Sequence, residues 1–74
     1  RHAQARALEG FLLSAARHWE QASAAFDDAL ALDPALGNAW LGRGLLRIRR
    51  GERDAGRADL QTAAALEPGR SLLR

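Results

Sequence analysis

The chain reads as an all-α fold, about four helices arranged as a stack of antiparallel hairpins. Three observations lead there. First, one pattern is written twice, 34 residues apart. Gly10 recurs as Gly44, Ala29 as Ala63, Leu32 as Leu66 and Pro34 as Pro68, while Phe26 is answered by Leu60 and Asp33-Pro34 by Glu67-Pro68. A fixed period of this length marks an array in which each unit is a helical hairpin packed on the next. Second, small and apolar residues recur at three- and four-residue steps between Pro and Gly breakers. Third, Ile48 and Thr62 are the only β-branched residues and nothing alternates with period two, which argues against strands.

The first helix is expected over about His2 to Ala16, where Ala5, Leu8, Leu12 and Ala15 supply an amphipathic stripe. Arg17-His18 is its turn, although neither residue is a strong breaker. The second helix runs from about Trp19 to Leu32, with Ala22, Ala25, Phe26, Ala29 and Leu32 as the buried stripe. Pro34 ends it, because proline disfavours helix at the preceding residue and has no backbone donor. The third helix spans about Leu36 to Arg50, with Trp40 and Gly44 on one face and Leu41, Leu45 and Ile48 on the next. Gly51 then suits a left-handed C-terminal cap. The fourth helix spans about Glu52 to Leu66, with Glu52 and Asp54 in the first turn, where the helix dipole favours acids. Pro68-Gly69 stops it, and Ser71 can cap a fifth helix of which Leu72, Leu73 and Arg74 remain. Gly10, Ala22, Ala29, Gly44, Gly56 and Ala63 fall where helices cross closely, and Phe26 and Leu60 fill the gap between hairpins.

Length and composition bound the rest. Seventy-four residues make one small domain, residues 1–74, with one repeat over about 3–36, a second over about 37–70, and 71–74 as the start of a truncated helix. Starting at Arg1 and ending on an apolar tail, the chain reads as a piece of a longer protein. A core of this size supplies only roughly 3–5 kcal/mol. There is no Cys for a disulfide, and two His without Cys argue against a structural metal. No cofactor is expected. All 11 basic residues are Arg, a bias that points to a high-GC bacterial genome. No run approaches a membrane span or a signal peptide. The net charge of +2 divides unevenly: residues 1–37 carry −2 and residues 38–74 carry +4.

These residues together resemble the tetratricopeptide repeat family, whose 34-residue pattern runs W-x2-L-G-x2-Y, A-x3-F, P. The second repeat carries Trp40, Gly44, Gly51, Leu60, Ala63 and Pro68, and the first carries Gly10, Trp19, Ala22, Phe26, Ala29 and Pro34. The resemblance covers about residues 3–70. Arg6 and Glu9 depart from it in the first repeat, as do Arg43 and Arg47 in the second. Gly56 stands for the usual Ala and Arg17 for the usual turn Gly. The resemblance implies a right-handed stack with a concave groove, a scaffold role in protein–protein recognition, and no enzymatic activity. It also implies that the first helix of each repeat lines the groove, which here means Gln4, Ala7, Phe11, Ser14, Asn38, Leu41, Leu45, Ile48 and Arg49. Members that clamp a C-terminal carboxylate use Lys, Arg and Asn in these places. Ala7, Phe11, Leu41 and Leu45 argue against such a clamp. A mostly apolar stripe suits an amphipathic helix or an extended apolar peptide, with Arg49 pairing a carboxylate at the rim. The plainer alternative is that neighbouring repeats cover the stripe and the segment is a spacer.

Arg43, Arg47, Arg49, Arg50, Arg53 and Arg57 cluster in sequence, and Arg43, Arg47 and Arg50 share one helix face. Such a patch can contact nucleic-acid phosphates. Against that, no aromatic lies among them to stack a base, and Glu52, Asp54 and Asp59 are interleaved. A solvated arginine-rich face is the plainer account. Trp19 and Trp40 fall on packing positions, His2 and His18 are too far apart to pair on a metal, Asp27-Asp28 diverge on a helix, and Ser14 and Ser23 lack an activating base. Two repeats are fewer than the three an array usually needs. Self-association through the uncapped ends, by way of Leu60, Leu66, Leu72 and Leu73, is therefore expected of the isolated segment.

Overall fold

The computed structural model describes residues 2–67. The chain forms α1 (His2–Ala15), α2 (Trp19–Leu32), α3 (Gly37–Arg49) and α4 (Arg53–Leu66), and no strand occurs among the described residues. Each helix end lies within one residue of its expected position. The expected stop at Pro68-Gly69 and the tail from Ser71 to Arg74 lie outside the described residues.

The two hairpins close through the same turn. After α1 the Arg17 N–H donates to the Ser14 carbonyl (3.0 Å) and the His18 N–H to the Leu13 carbonyl (2.9 Å). After α3 the Gly51 N–H donates to the Ile48 carbonyl (3.0 Å) and the Glu52 N–H to the Arg47 carbonyl (2.8 Å). Both are Schellman motifs, which satisfy the last carbonyls of a helix by placing one residue in the left-handed region. That residue is Gly51 in the second turn (φ 88°) and Arg17 in the first (φ 67°). The link between hairpins is different. The Ala35 N–H donates to the Asp33 Oδ1 (3.0 Å), and Trp40 Nε1 donates to the Pro34 carbonyl (2.7 Å), so the proline turn is tied to α3.

Among the described residues α1 packs on α2, α3 on α4, and both α1 and α2 on α3, whereas α4 touches α3 alone. The apolar core sits where the first three helices meet. Ala3, Ala7, Ala29, Leu30, Leu36 and Ala39 form one cluster, with Trp40 against it. Ala22, Phe26 and Leu46 form the second, flanked by Phe11, Leu13 and Trp19. Phe26 is fully buried, a contribution of about 1.5–3 kcal/mol over an exposed ring. Its ring lies against the backbone of both Gly10 and Gly42, where any Cβ would collide with it. Gly44 and Gly56 meet backbone to backbone: a Cβ on Gly44 would sit 2.8 Å from the Gly56 carbonyl oxygen, and one on Gly56 2.7 Å from that of Gly44.

Two expected stripes are corrected. On α1 the residues Ala5, Leu8, Leu12 and Ala15 face outward, Leu8 and Leu12 being 59% and 64% exposed. Ala3, Ala7 and Gly10 are buried instead. α1 crosses two helices at close range, and at such crossings small residues admit the neighbouring backbone while leucine would hold it off. On α2 the stripe ends on Leu30, which is buried, and not on Leu32, which is exposed.

Candidate binding groove

Four of the expected groove residues line one cavity. Gln4, Ala7, Phe11 and Asn38, joined by Ala5 and Leu8, surround about 450 Å³ where α1 faces the start of α3. Phe11 is half-buried, with its ring edge-on to Phe26 at 5.2 Å between centroids and 84° between planes. One side of Phe11 is thus fixed in the core, a rigid apolar wall with little rotamer freedom left to lose on binding. Ala7 itself is buried and supplies wall rather than exposed surface. Further along α3, Leu41 is half-buried, Leu45 is 48% exposed, and Ile48 is exposed at its margin. The Ile48 side chain also lies against Gly56, so it is shared between the open face and the α3–α4 packing. Ser14 is half-buried near the end of α1. Arg49 stands apart from the Phe11 cavity. It lines a separate hollow with Ala15, Arg17 and Trp19.

The arginines of the second repeat do not form one free patch. Asp59 is buried, 4% exposed, and accepts from Arg43 Nε (3.0 Å), Arg43 Nη2 (3.2 Å) and Arg47 Nη1 (3.1 Å). Arg43 Nη1 also donates to Asp27 Oδ1 of α2 (2.9 Å), and its guanidinium lies 4.9 Å from the Trp40 ring centroid. Arg47 reaches Glu52 at 3.9 Å. Hydrogen bonds to Asp59 hold the Arg43 pKa above its ordinary value, with burial opposing. Arg43 and Arg47 are therefore structural ties across α2, α3 and α4 rather than free cations. Arg53 and Arg57 are exposed on α4 and make no ion pair among the described residues, while Arg50 faces a hollow with His18, Trp19, Glu20 and Gln21. In the first repeat the departures Arg6 and Glu9 pair with each other, and Arg6 also holds Asp28 of α2. Those contacts, with Asp28 first, raise the Arg6 pKa.

Asp59 is one of the acids expected to neutralise part of the arginine cluster, and it does so from a buried position that the interleaving alone does not reveal. One repeat earlier its place is taken by Ala25, which is buried, so a carboxylate in an otherwise apolar register was the available signal. Gly42, whose backbone is the far wall of the Phe26 pocket, had no counterpart in the repeat pattern to mark it. Among the described residues no three His, Cys, Asp or Glu converge as metal ligands, and no helix is long and apolar enough to cross a membrane. Compared with family models, characterised proteins and solved structures, the chain matches none of them.

Proposed function

We propose that this chain is a non-enzymatic binding module, a pair of tetratricopeptide-like repeats of bacterial origin whose open face takes an apolar peptide or amphipathic helix. The observation that carries this reading is the Phe11 cavity between α1 and α3 together with Leu41 and Leu45 further along α3. Phe11 is anchored in the core yet open on one side, and Leu45 stands about half exposed four residues from Leu41. Apolar positions repeated at helical spacing beside a cavity are what an i, i+4 ligand helix needs. Gln4 and Asn38 at the cavity edge offer hydrogen bonds to an extended ligand backbone. The lining is Gln4, Ala5, Ala7, Leu8, Phe11 and Asn38, side chains suited to holding a ligand rather than to nucleophilic or acid–base chemistry.

The test is a peptide selection against the 74-residue chain, followed by affinity measurement for the winning sequence. Leu45→Glu should weaken binding at least tenfold while leaving the helical circular dichroism unchanged, because Leu45 is outside the core. Undiminished binding by that variant would overturn the groove reading. A second reading, repeats acting as spacers in a longer array, is favoured by one observation. Among the described residues α4 packs on α3 alone and its buried positions are Gly56 and Asp59, with Leu66 left exposed as a surface for a further hairpin or a second copy. Nucleic-acid binding is disfavoured because Asp59, Asp27 and Glu52 occupy the two central arginines.

A further inference from the structure

Arg17, Trp19 and Arg49 line a hollow of about 340 Å³, together with Ala15, where the first turn meets the end of α3. The Arg17 guanidinium carbon lies 5.9 Å from the Trp19 ring centroid and that of Arg49 lies 5.8 Å from it. Two cations thus converge on one indole, and neither forms an ion pair among the described residues. Arg6, Arg43 and Arg47 all do. Cation–π attraction holds each guanidinium near the ring but leaves its fork of N–H donors without an anion.

The backbone supplies a second, independent observation. Arg17 occupies the left-handed position of its Schellman motif, where a Cβ is strained. The same position 34 residues later is Gly51, which serves the identical turn without strain. Closing the turn therefore does not explain an arginine at position 17. Trp19 corresponds to Arg53 and Ala15 to Arg49, so the second turn has neither the indole nor the residue-17 guanidinium. The hollow is peculiar to the first turn and is not a by-product of the repeat. Strained residues that the turn does not need concentrate at ligand sites.

From these two observations we propose that the Arg17–Trp19–Arg49 hollow binds a phosphate monoester, independently of the Phe11 groove. Two guanidinium forks match the oxygens and the double negative charge of a phosphoryl group better than they match a single carboxylate. Trp19 offers an apolar surface for the organic part of the ester. Beyond the indole, Arg50 adds a guanidinium and His18 and Gln21 add side-chain donors to an adjoining hollow, in which Glu20 is the carboxylate.

The experiment is a titration of the 15N-labelled 74-residue chain with phenyl phosphate, following the two indole N–H resonances. A saturable shift of Trp19 with Trp40 unmoved is expected, and Arg17→Gly and Arg49→Gln should each weaken it at least tenfold. Arg17→Gly keeps the turn, so its loss of binding is not a loss of fold. Inorganic phosphate serves as the second arm: equal affinity identifies free phosphate as the ligand, and tenfold weaker affinity identifies the ester. No saturable shift at millimolar ligand, equal affinity for benzoate, or affinity unchanged in both variants would each overturn the assignment.

Discussion

The two hairpins are built on the same backbone and closed by different physics. In the first, α2 buries Ala22, Ala25 and Phe26 in an apolar core, and its charged contacts, Asp28 with Arg6 and Asp27 with Arg43, lie at the exposed margin. In the second, α4 buries only Gly56 and Asp59. The equivalent positions make the contrast plain: Ala22 becomes Gly56, Ala25 becomes Asp59, Glu9 becomes Arg43 and Leu13 becomes Arg47. Where the first hairpin excludes water with methyl and phenyl groups, the second brings two backbones into contact and neutralises a buried carboxylate with two arginines. A repeat fold thus tolerates exchange of its adhesive, provided each buried polar group keeps its partners. The first hairpin contributes hydrophobic stabilisation. The second contributes register, because Arg43 reaches Asp27 and Asp59 at once and so fixes α4 relative to α2, which it does not touch.

The largest expected effect breaks the first hairpin. Phe26→Ala removes the ring that fills the space between Gly10 and Gly42 and should cost about 3–5 kcal/mol. That equals the roughly 3–5 kcal/mol a core of this size provides, so the variant should lack a cooperative thermal transition. Next in size is Asp59→Ala, which leaves Arg43 and Arg47 facing each other without their carboxylate. Breaking a buried pair costs about 3–5 kcal/mol, and because both arginines reach solvent the expected loss is about 2–3 kcal/mol by denaturant unfolding. Adding Arg43→Leu to it should recover at least half of that loss, since an apolar replacement no longer needs the acid. Failure of the double variant to recover stability would mean that the network is more than a charge balance.

Smaller effects sharpen the contrast. Gly44→Ala gains roughly 1 kcal/mol of helix propensity, yet its methyl group meets the Gly56 carbonyl, a backbone atom that cannot swing aside. A net loss of about 1–3 kcal/mol is expected, and a stabilised variant would show that the α3–α4 contact relaxes freely. Smallest are the two turns. Gly51→Ala should lose about 1 kcal/mol because it puts a Cβ at positive φ, and Arg17→Gly should gain about as much. Equal and opposite changes in melting temperature would establish that the turns are interchangeable in backbone and differ only in side chain.

Much of the fold was legible because its signals are local. Pro34 and Gly51 end helices for reasons carried in their own covalent structure, and the 34-residue echo of Gly10, Ala29 and Phe26 placed the hairpins. The face of α1 was not legible. Leucines at helical spacing normally mark a core, but α1 lies between two helices whose closeness requires Ala3, Ala7 and Gly10, and the leucines are left outside. Of the residues expected to line a groove, Gln4, Ala7, Phe11 and Asn38 line one cavity, whereas Arg49 lines a different one. The arginines misled for a related reason. Charge counting finds an excess of +4 in the second half, but the pairs that absorb Arg43 lie 16 residues away on two other helices, which no local pattern displays.

The open face of α1 and α3 is the claim on which the functional account stands. Its most direct test is amide and methyl chemical-shift mapping of the 74-residue chain during titration with a selected apolar peptide. Saturable shifts centred on Gln4, Phe11, Asn38, Leu41 and Leu45 are predicted, with Arg53 and Arg57 on α4 unmoved. Shifts centred on α4 with the Phe11 cavity silent would contradict it.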